Sequence, residues 1–240
     1  MSVRMLKKAL RLVVISCVLY TAAAAQPGAP YASAPANPYQ SAIAQAREMV
    51  QQLMANNKIP GLSVSVGVHG KIVWSEGFGY ADVENRSAVT PSTKFRIGSV
   101  SKTLTASALA LLYEQGRLDL DAPVQKYVPA FPQKRWPIST RQVAGHLAGV
   151  RHYRNMEFLL AKKFDSVTAS LEIFKDDTLL FEPGTSYSYS SYGWNLLSAV
   201  VEGAAGEAFL PYMHKNVFWP LGMFDTVADH NDSLIAYRTR

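Results

Sequence analysis

Between residues 41 and 56, apolar side chains recur at Ile43, Ala46, Val50 and Leu53, the spacing of one helix face. The period then drops to two. Val64, Val66 and Val68 alternate with Ser63, Ser65 and Gly67, and after His69-Gly70 the run KIVWSEGFGY follows. This pattern predicts a β-hairpin with one buried face, built on Val64, Val66, Val68, Ile72 and Trp74. A polar stretch containing Pro91 leads into Leu104, Leu109, Leu111 and Leu112, a helical run closed by Gly116 as C-cap. From Leu118 to Gly206 short helical patterns are broken by Pro123, Pro129, Pro132, Pro137 and Pro183. Helices are predicted at 139–147, 168–176 and 192–204. One hairpin followed by a helical body implies an α+β chain with a sheet lobe and a helical lobe. No internal repeat or heptad pattern is present.

The N-terminus follows a different logic. Arg4, Lys7, Lys8 and Arg11 precede an apolar run from Leu12 to Tyr20, and Ala23-Ala24-Ala25 supplies small residues before Gln26. Residues 1–25 therefore read as a signal peptide cut after Ala25, which predicts a periplasmic or secreted protein. The apolar run is too short for a stable span. A retained anchor, or lipid attachment at Cys17, is the alternative. Residues 26–40 hold four prolines and read as a Pro/Ala-rich linker, leaving 41–240 as the folded domain.

Removal of the leader changes the charge balance. The whole chain carries 24 basic and 18 acidic residues, but four of the basic ones and none of the acidic ones lie in the first 25. The remainder has a net charge of +2 and no Lys/Arg block, which argues against a nucleic-acid partner. Cys17, the single cysteine, departs with the leader, so no intramolecular disulfide is available. The five histidines, His69, His146, His152, His214 and His230, form no H-E-x-x-H pattern. No metal or cofactor is implied.

The segment FRIGSVSKTLT places Ser99 three residues before Lys102, at the start of the helix that ends near Gly116. One helical turn brings the two side chains to the same face. A serine hydroxyl becomes a useful nucleophile when a neighbouring base takes its proton, and a desolvated lysine can be that base. The partial positive charge at a helix N-terminus favours the developing alkoxide. With 21 serines and 12 lysines in 240 residues, chance alone supplies roughly one such pair. No G-x-S-x-G elbow offers a competing nucleophile.

The surrounding segments carry more weight than the pair. IPGLSVSVGVHGKIVWSEGFGYADVE (59–84), PSTKFRIGSVSKTLTASALALLYEQGRLDLDAPVQKYVPAFP (91–132), PGTSYSYSSYGWNLLSAVVEGAAG (183–206) and WPLGM (219–223) occur in order. Together they resemble the β-lactamase-related serine hydrolase family, which includes serine β-lactamases and penicillin-binding proteins. HLAGVRHY (146–153) is similar to the branch holding the mitochondrial serine β-lactamase-like protein and its bacterial relatives.

The resemblance implies a β-lactamase/transpeptidase-like α+β fold, with an antiparallel sheet lobe beside a helical lobe. It implies acyl transfer to water from a small-molecule or peptide substrate, an amide, ester or peptide. Ser99 would be the acylated nucleophile, Lys102 its base and Tyr189 a proton relay. Since a lysine near pKa 10.4 is protonated at neutral pH, that role needs desolvation or a partner such as Tyr189. Ser191 falls where the family usually has Asn and would face substrate with one short hydroxyl. His152 is expected to hydrogen-bond within the helical lobe. The family's third motif, K-T-G or H-x-G, has no counterpart downstream of Ser191. The chain therefore reads as a family domain whose C-terminal strands are missing. The alternatives are a truncated or scaffold-like non-catalytic chain and a penicillin-binding D,D-carboxypeptidase.

Overall fold

The computed structural model describes residues 37–230 and 234–239. The predicted leader, 1–25, and linker residues 26–36 lie outside the described residues. Helix α1 spans Gln40–Asn57 and buries none of its residues fully. Asn37 closes the turn before it: its Oδ1 accepts the Tyr39 N–H at 3.0 Å, and its amide donates to the Val73 carbonyl at 3.1 Å. The helix ends at Lys58, which adopts a left-handed φ of 53°. Arg47 Nε then reaches Glu76 Oε2 at 2.7 Å, tying α1 to the sheet.

The sheet begins with β1, Gly61–Val68, and β2, Lys71–Asp82, joined by His69 and Gly70 at φ 49° and 73°. Two successive positive φ values match the twist of a two-residue hairpin. Leu62, Val64 and Val66 sit opposite Phe78, Glu76 and Trp74, and so share one face. The register shifts between Val66 and Gly67, which puts Ile72 opposite Gly67. That bulge moves Ile72 onto the serine and glycine face, where it is 73% exposed. The expected buried face is therefore smaller than its sequence pattern: of its five residues, only Trp74 is buried. A short strand β3, Ser87–Ala88, adds to the outer edge of β2 in the order β1-β2-β3. Its polar sequence carried no strand pattern. Residue Lys94 pairs with the 237–239 segment through Lys94 N–H to Tyr237 O at 2.7 Å and Thr239 N–H to Lys94 O at 3.0 Å.

The helical lobe holds the main core. Helix α2, Ser101–Glu114, buries Ala108, Leu109 and Leu112 against Leu196, Leu197, Val200 and Val201 of α4, Ser191–Ala205. Val124, Val128, Phe131, Ile138, Leu171 and Phe174 complete it from the connecting loops. Helix α3 runs only from Thr140 to Ala144, shorter than the predicted 139–147. Ser139 and Gln142 form a capping box at its start. It ends because His146 adopts φ 62°, with Leu147 N–H bonded to Gln142 O and His146 N–H to Val143 O. The predicted helix at 168–176 is a 3-10 segment over Ala169–Ile173. A last short helix, α5, Phe209–Met213, runs into a π-helical turn. Among the described residues no helix is long and apolar enough to cross a membrane.

Candidate active site

Gly98 at φ 51° turns the chain into a single 3-10 turn, Gly98–Val100, immediately before α2. The turn leaves Ser99 exposed at the helix entrance, and Lys102, half-buried, stands one turn further on. Lys102 Nζ donates to Ser99 Oγ at 3.1 Å. From the far side of the lobe, the Tyr189 hydroxyl lies 2.6 Å from the same Oγ. Lys102 Nζ also sits 5.0 Å from the centre of the Tyr189 ring. Three groups that can exchange a proton thus meet at one hydroxyl.

The electrostatics follow from that meeting. The Lys102 N–H donors, then the hydrogen bond with Ser99, hold the Tyr189 phenol below the usual tyrosine value, against an opposing effect of burial. The positive charge of Lys102 and the Ser191 hydroxyl act in the same direction. The Ser191 N–H bonds His152 Nδ1 at 3.2 Å.

Tyr189 precedes the first turn of α4, and that turn is fixed unusually well. Ser190 Oγ accepts the Gly193 N–H at 2.8 Å as N-cap and donates to the Arg151 carbonyl at 2.7 Å. The Ser190 N–H bonds His146 Nδ1 at 3.0 Å. Beneath this turn lies the Arg151 guanidinium, 6% exposed. It donates to both Glu157 oxygens, to Asp177 Oδ2 at 2.5 Å, and to the carbonyls of His152 and Ile173. The Arg151 hydrogen bonds, with the Arg154 N–H and the Tyr192 hydroxyl, hold Glu157 down at about 2 despite a counteracting burial effect. Burial and the bond to Glu157 push Tyr192 up to about 12.

Ser99, Lys102 and Tyr189 are thus brought together, with Ser191 adjoining them. Sequence reasoning did not include His146, Arg151 or the site contact of His152. The HLAGVRHY segment carries the available signal, two histidines and an arginine within eight residues. Among the described residues no group of three or more His, Cys, Asp or Glu could hold a metal ion. A surface cavity of about 420 Å³ lies elsewhere, lined by Tyr127, Thr168, Glu202 and Glu207 near the C-terminal end of α4. Concavity alone would have pointed there, whereas the hydrogen-bond geometry points to Ser99.

Comparison with known proteins bears on the family of the chain. The mouse (Mus musculus) serine beta-lactamase-like protein LACTB, mitochondrial, is 35% identical over 90% of this chain and 53% of its own length. The chain spans about half the length of that curated relative. Among solved structures, EstCE1, described as a hydrolase with promiscuous acyltransferase activity, is 29% identical with a TM-score of 0.68, covering 76% of this chain and 52% of its own. A class C beta lactamase is 26% identical with a TM-score of 0.71, covering 85% and 56% respectively. The Beta-lactamase family model matches residues 46–240. With the matched segment spanning both lobes and the Ser99 site, the chain belongs to the Beta-lactamase family.

Proposed function

We propose that the chain carries the acyl-transfer machinery of an exported serine hydrolase, with Ser99 as nucleophile, Lys102 as base and Tyr189 as proton relay. One observation carries the reading: Oγ of Ser99 lies within hydrogen-bond reach of both Lys102 Nζ and the Tyr189 hydroxyl. The amine–phenol and ammonium–phenolate forms of the Lys102–Tyr189 pair hold the same number of protons. The lowered phenol value makes Tyr189 a ready entry point for the Ser99 proton. A positioned base of this kind contributes on the order of 10²–10⁴ in rate.

The reaction balances within the site. As the Ser99 proton passes to the pair, Oγ bonds the acyl carbon of an amide, ester or peptide. The bond to the leaving amine or alcohol breaks, and the pair returns the proton to that group. Water then attacks the acyl-Ser99 ester, giving up a proton to the pair, and Oγ leaves as the hydroxyl after taking it back. Ser191, two residues after Tyr189, would offer the substrate one short hydroxyl.

The test is mass spectrometry after exposure to a fluorophosphonate. A single adduct on Ser99 that disappears in Ser99→Ala supports the reading. No adduct on any serine would favour the non-catalytic alternative, and a stable penicillin adduct the D,D-carboxypeptidase one. Export rests on residues 1–25 alone. N-terminal sequencing of secreted protein should begin at Gln26, and a lipid-modified Cys17 would overturn that route.

A further inference from the structure

Two imidazoles stand behind the relay tyrosine, and neither has a part in the reaction described above. His146 lies 4.6 Å from the Tyr189 ring centre at 32°, and His152 lies 5.4 Å away at 86°. Their Nδ1 atoms accept consecutive backbone N–H groups, Ser190 on His146 and Ser191 on His152. These are opening donors of α4 that have no intrahelical partner. We propose that His146 and His152 are positioning residues: a pair of uncharged imidazoles that fixes the Tyr189–Ser191 backbone, sets the Tyr189 hydroxyl on Ser99, and releases it when protonated. The inference rests on the hydrolase reading for its effect on rate, but its structural content is independent of that reading.

An imidazole nitrogen that accepts an N–H carries no proton, so each ring holds its proton on Nε2. Protonating Nδ1 would set N–H against N–H and break the bond to the α4 backbone. At His146 the Trp194 Nε1–H also approaches Nε2, at 3.3 Å, and competes with the Ser190 N–H for the one lone pair a neutral ring can offer. A neutral ring can accept at one nitrogen only, so the 3.0 Å backbone bond is the hydrogen bond and the indole approach is a contact. The ionisable groups facing the pair are Lys102 from α2, Tyr187 and Tyr189 from the segment before α4, and Tyr153 from the His152 loop. Burial first, then the Lys102 charge, hold both histidines below their usual value.

The backbone of His146 is the second, independent observation. It occupies the left-handed position that follows the C-cap of α3, at φ 62°, where glycine meets no steric cost. The backbone conformation taken alone favours glycine there. The strain is explained if the ring is needed for the Ser190 N–H.

The test uses the full chain and the rate of fluorophosphonate labelling at Ser99 against pH. Wild type should show an acid limb below about pH 6.5, the ordinary histidine range. His146→Asn/His152→Asn supplies Oδ1 acceptors that do not titrate, so the limb should flatten while labelling at neutral pH persists. His146→Gly relieves the left-handed backbone but removes the Ser190 acceptor, and should label at least about tenfold more slowly at every pH, as a displaced catalytic group requires. His152→Phe keeps a ring, removes the acceptor and should also slow labelling. Wild-type labelling by His146→Gly, or an unchanged acid limb in the Asn variant, would overturn the proposal. Imidazole ¹⁵N shifts provide a readout that needs no chemistry at Ser99. If Ser99 takes no probe, the hydrolase reading fails and these shifts decide alone: unprotonated Nδ1 in both rings at pH 7 sustains the bracket, and a protonated Nδ1 in either overturns it.

Discussion

The hydroxyls of Ser99 and Tyr189 lie 2.6 Å apart although 90 residues separate them in the chain. That contact depends on the packing of α2 against α4, whose facing residues, including Leu109, Leu112, Leu196 and Val200, are all buried. The site is thus a product of the helical-lobe core. Substitutions at the site can be judged separately from the fold, because Ser99 and Tyr189 are themselves exposed.

Lys102→Arg separates base catalysis from charge. Arginine keeps the positive charge but does not release its proton near neutral pH. Fluorophosphonate labelling of Ser99 should fall by about 10²-fold or more, the usual scale of a positioned base. Far-UV circular dichroism and the melting temperature should stay close to wild type. Labelling within a few-fold of wild type would make Lys102 a surface charge.

The Tyr189 phenol should ionise below the ordinary tyrosine value near 10, because Lys102 and Ser99 favour the phenolate. Difference absorbance at 295 nm, wild type minus Tyr189→Phe, isolates this one titration. In Lys102→Met the first of those causes is gone, so the midpoint should move up. An identical midpoint in the two backgrounds would show that Lys102 does not act on the phenol.

Much of this arrangement was legible in the sequence, for reasons that differ by residue. Period and turn chemistry located the hairpin, since His69-Gly70 sits between two alternating runs, and located α2 and α4 to within a residue or two. The Ser99–Lys102 pair is local, three residues apart on one helix entrance, so spacing put the two side chains together, but only the surrounding segments singled the pair out. Tyr189 needed the family resemblance, because no rule of spacing brings a residue 90 positions away to a serine. Ile72 misled because a bulge reverses the side-chain alternation without a sequence marker. His146 and His152 were illegible as a pair because they act on backbone N–H groups 44 and 39 residues away. Arg151 hid in the same way, its partners being Glu157 six residues on and the Ile173–Asp177 stretch 22 to 26 residues on.

Glu157 should give the helical lobe a defined acid limit. Its carboxyl is depressed to about 2 in the folded chain, chiefly by Arg151, against an ordinary value near 4.5. A depressed carboxylate contributes stability that is fully present above the unfolded value and is lost as pH falls through the folded one. Glu157→Gln should therefore cost about 1.5–3 kcal/mol in urea unfolding at pH 7, the range for hydrogen bonds to charged groups. The gap between variant and wild type should hold down to about pH 4.5 and narrow toward pH 2. A pH-independent gap would assign the loss to shape rather than charge.

Gly203 should resist enlargement where Gly67 does not, although both lie within regular elements. A Cβ at Gly203 would stand 1.8 Å from the Tyr127 carbonyl oxygen, a backbone atom that cannot turn aside. Gly203→Ala must push the 124–128 turn away from α4, which should cost about 1–3 kcal/mol. A Cβ at Gly67 meets nothing nearer than the Lys71 carbonyl oxygen at 3.8 Å, an ordinary contact. In that strand alanine restricts the unfolded chain without strain, so Gly67→Ala should be neutral or stabilising by up to about 0.5 kcal/mol. Parallel thermal and urea unfolding of the two variants gives the comparison. Equal costs would mean that α4 and the 124–128 turn are not in the close contact described, and the helix that carries Tyr189 would then have another support.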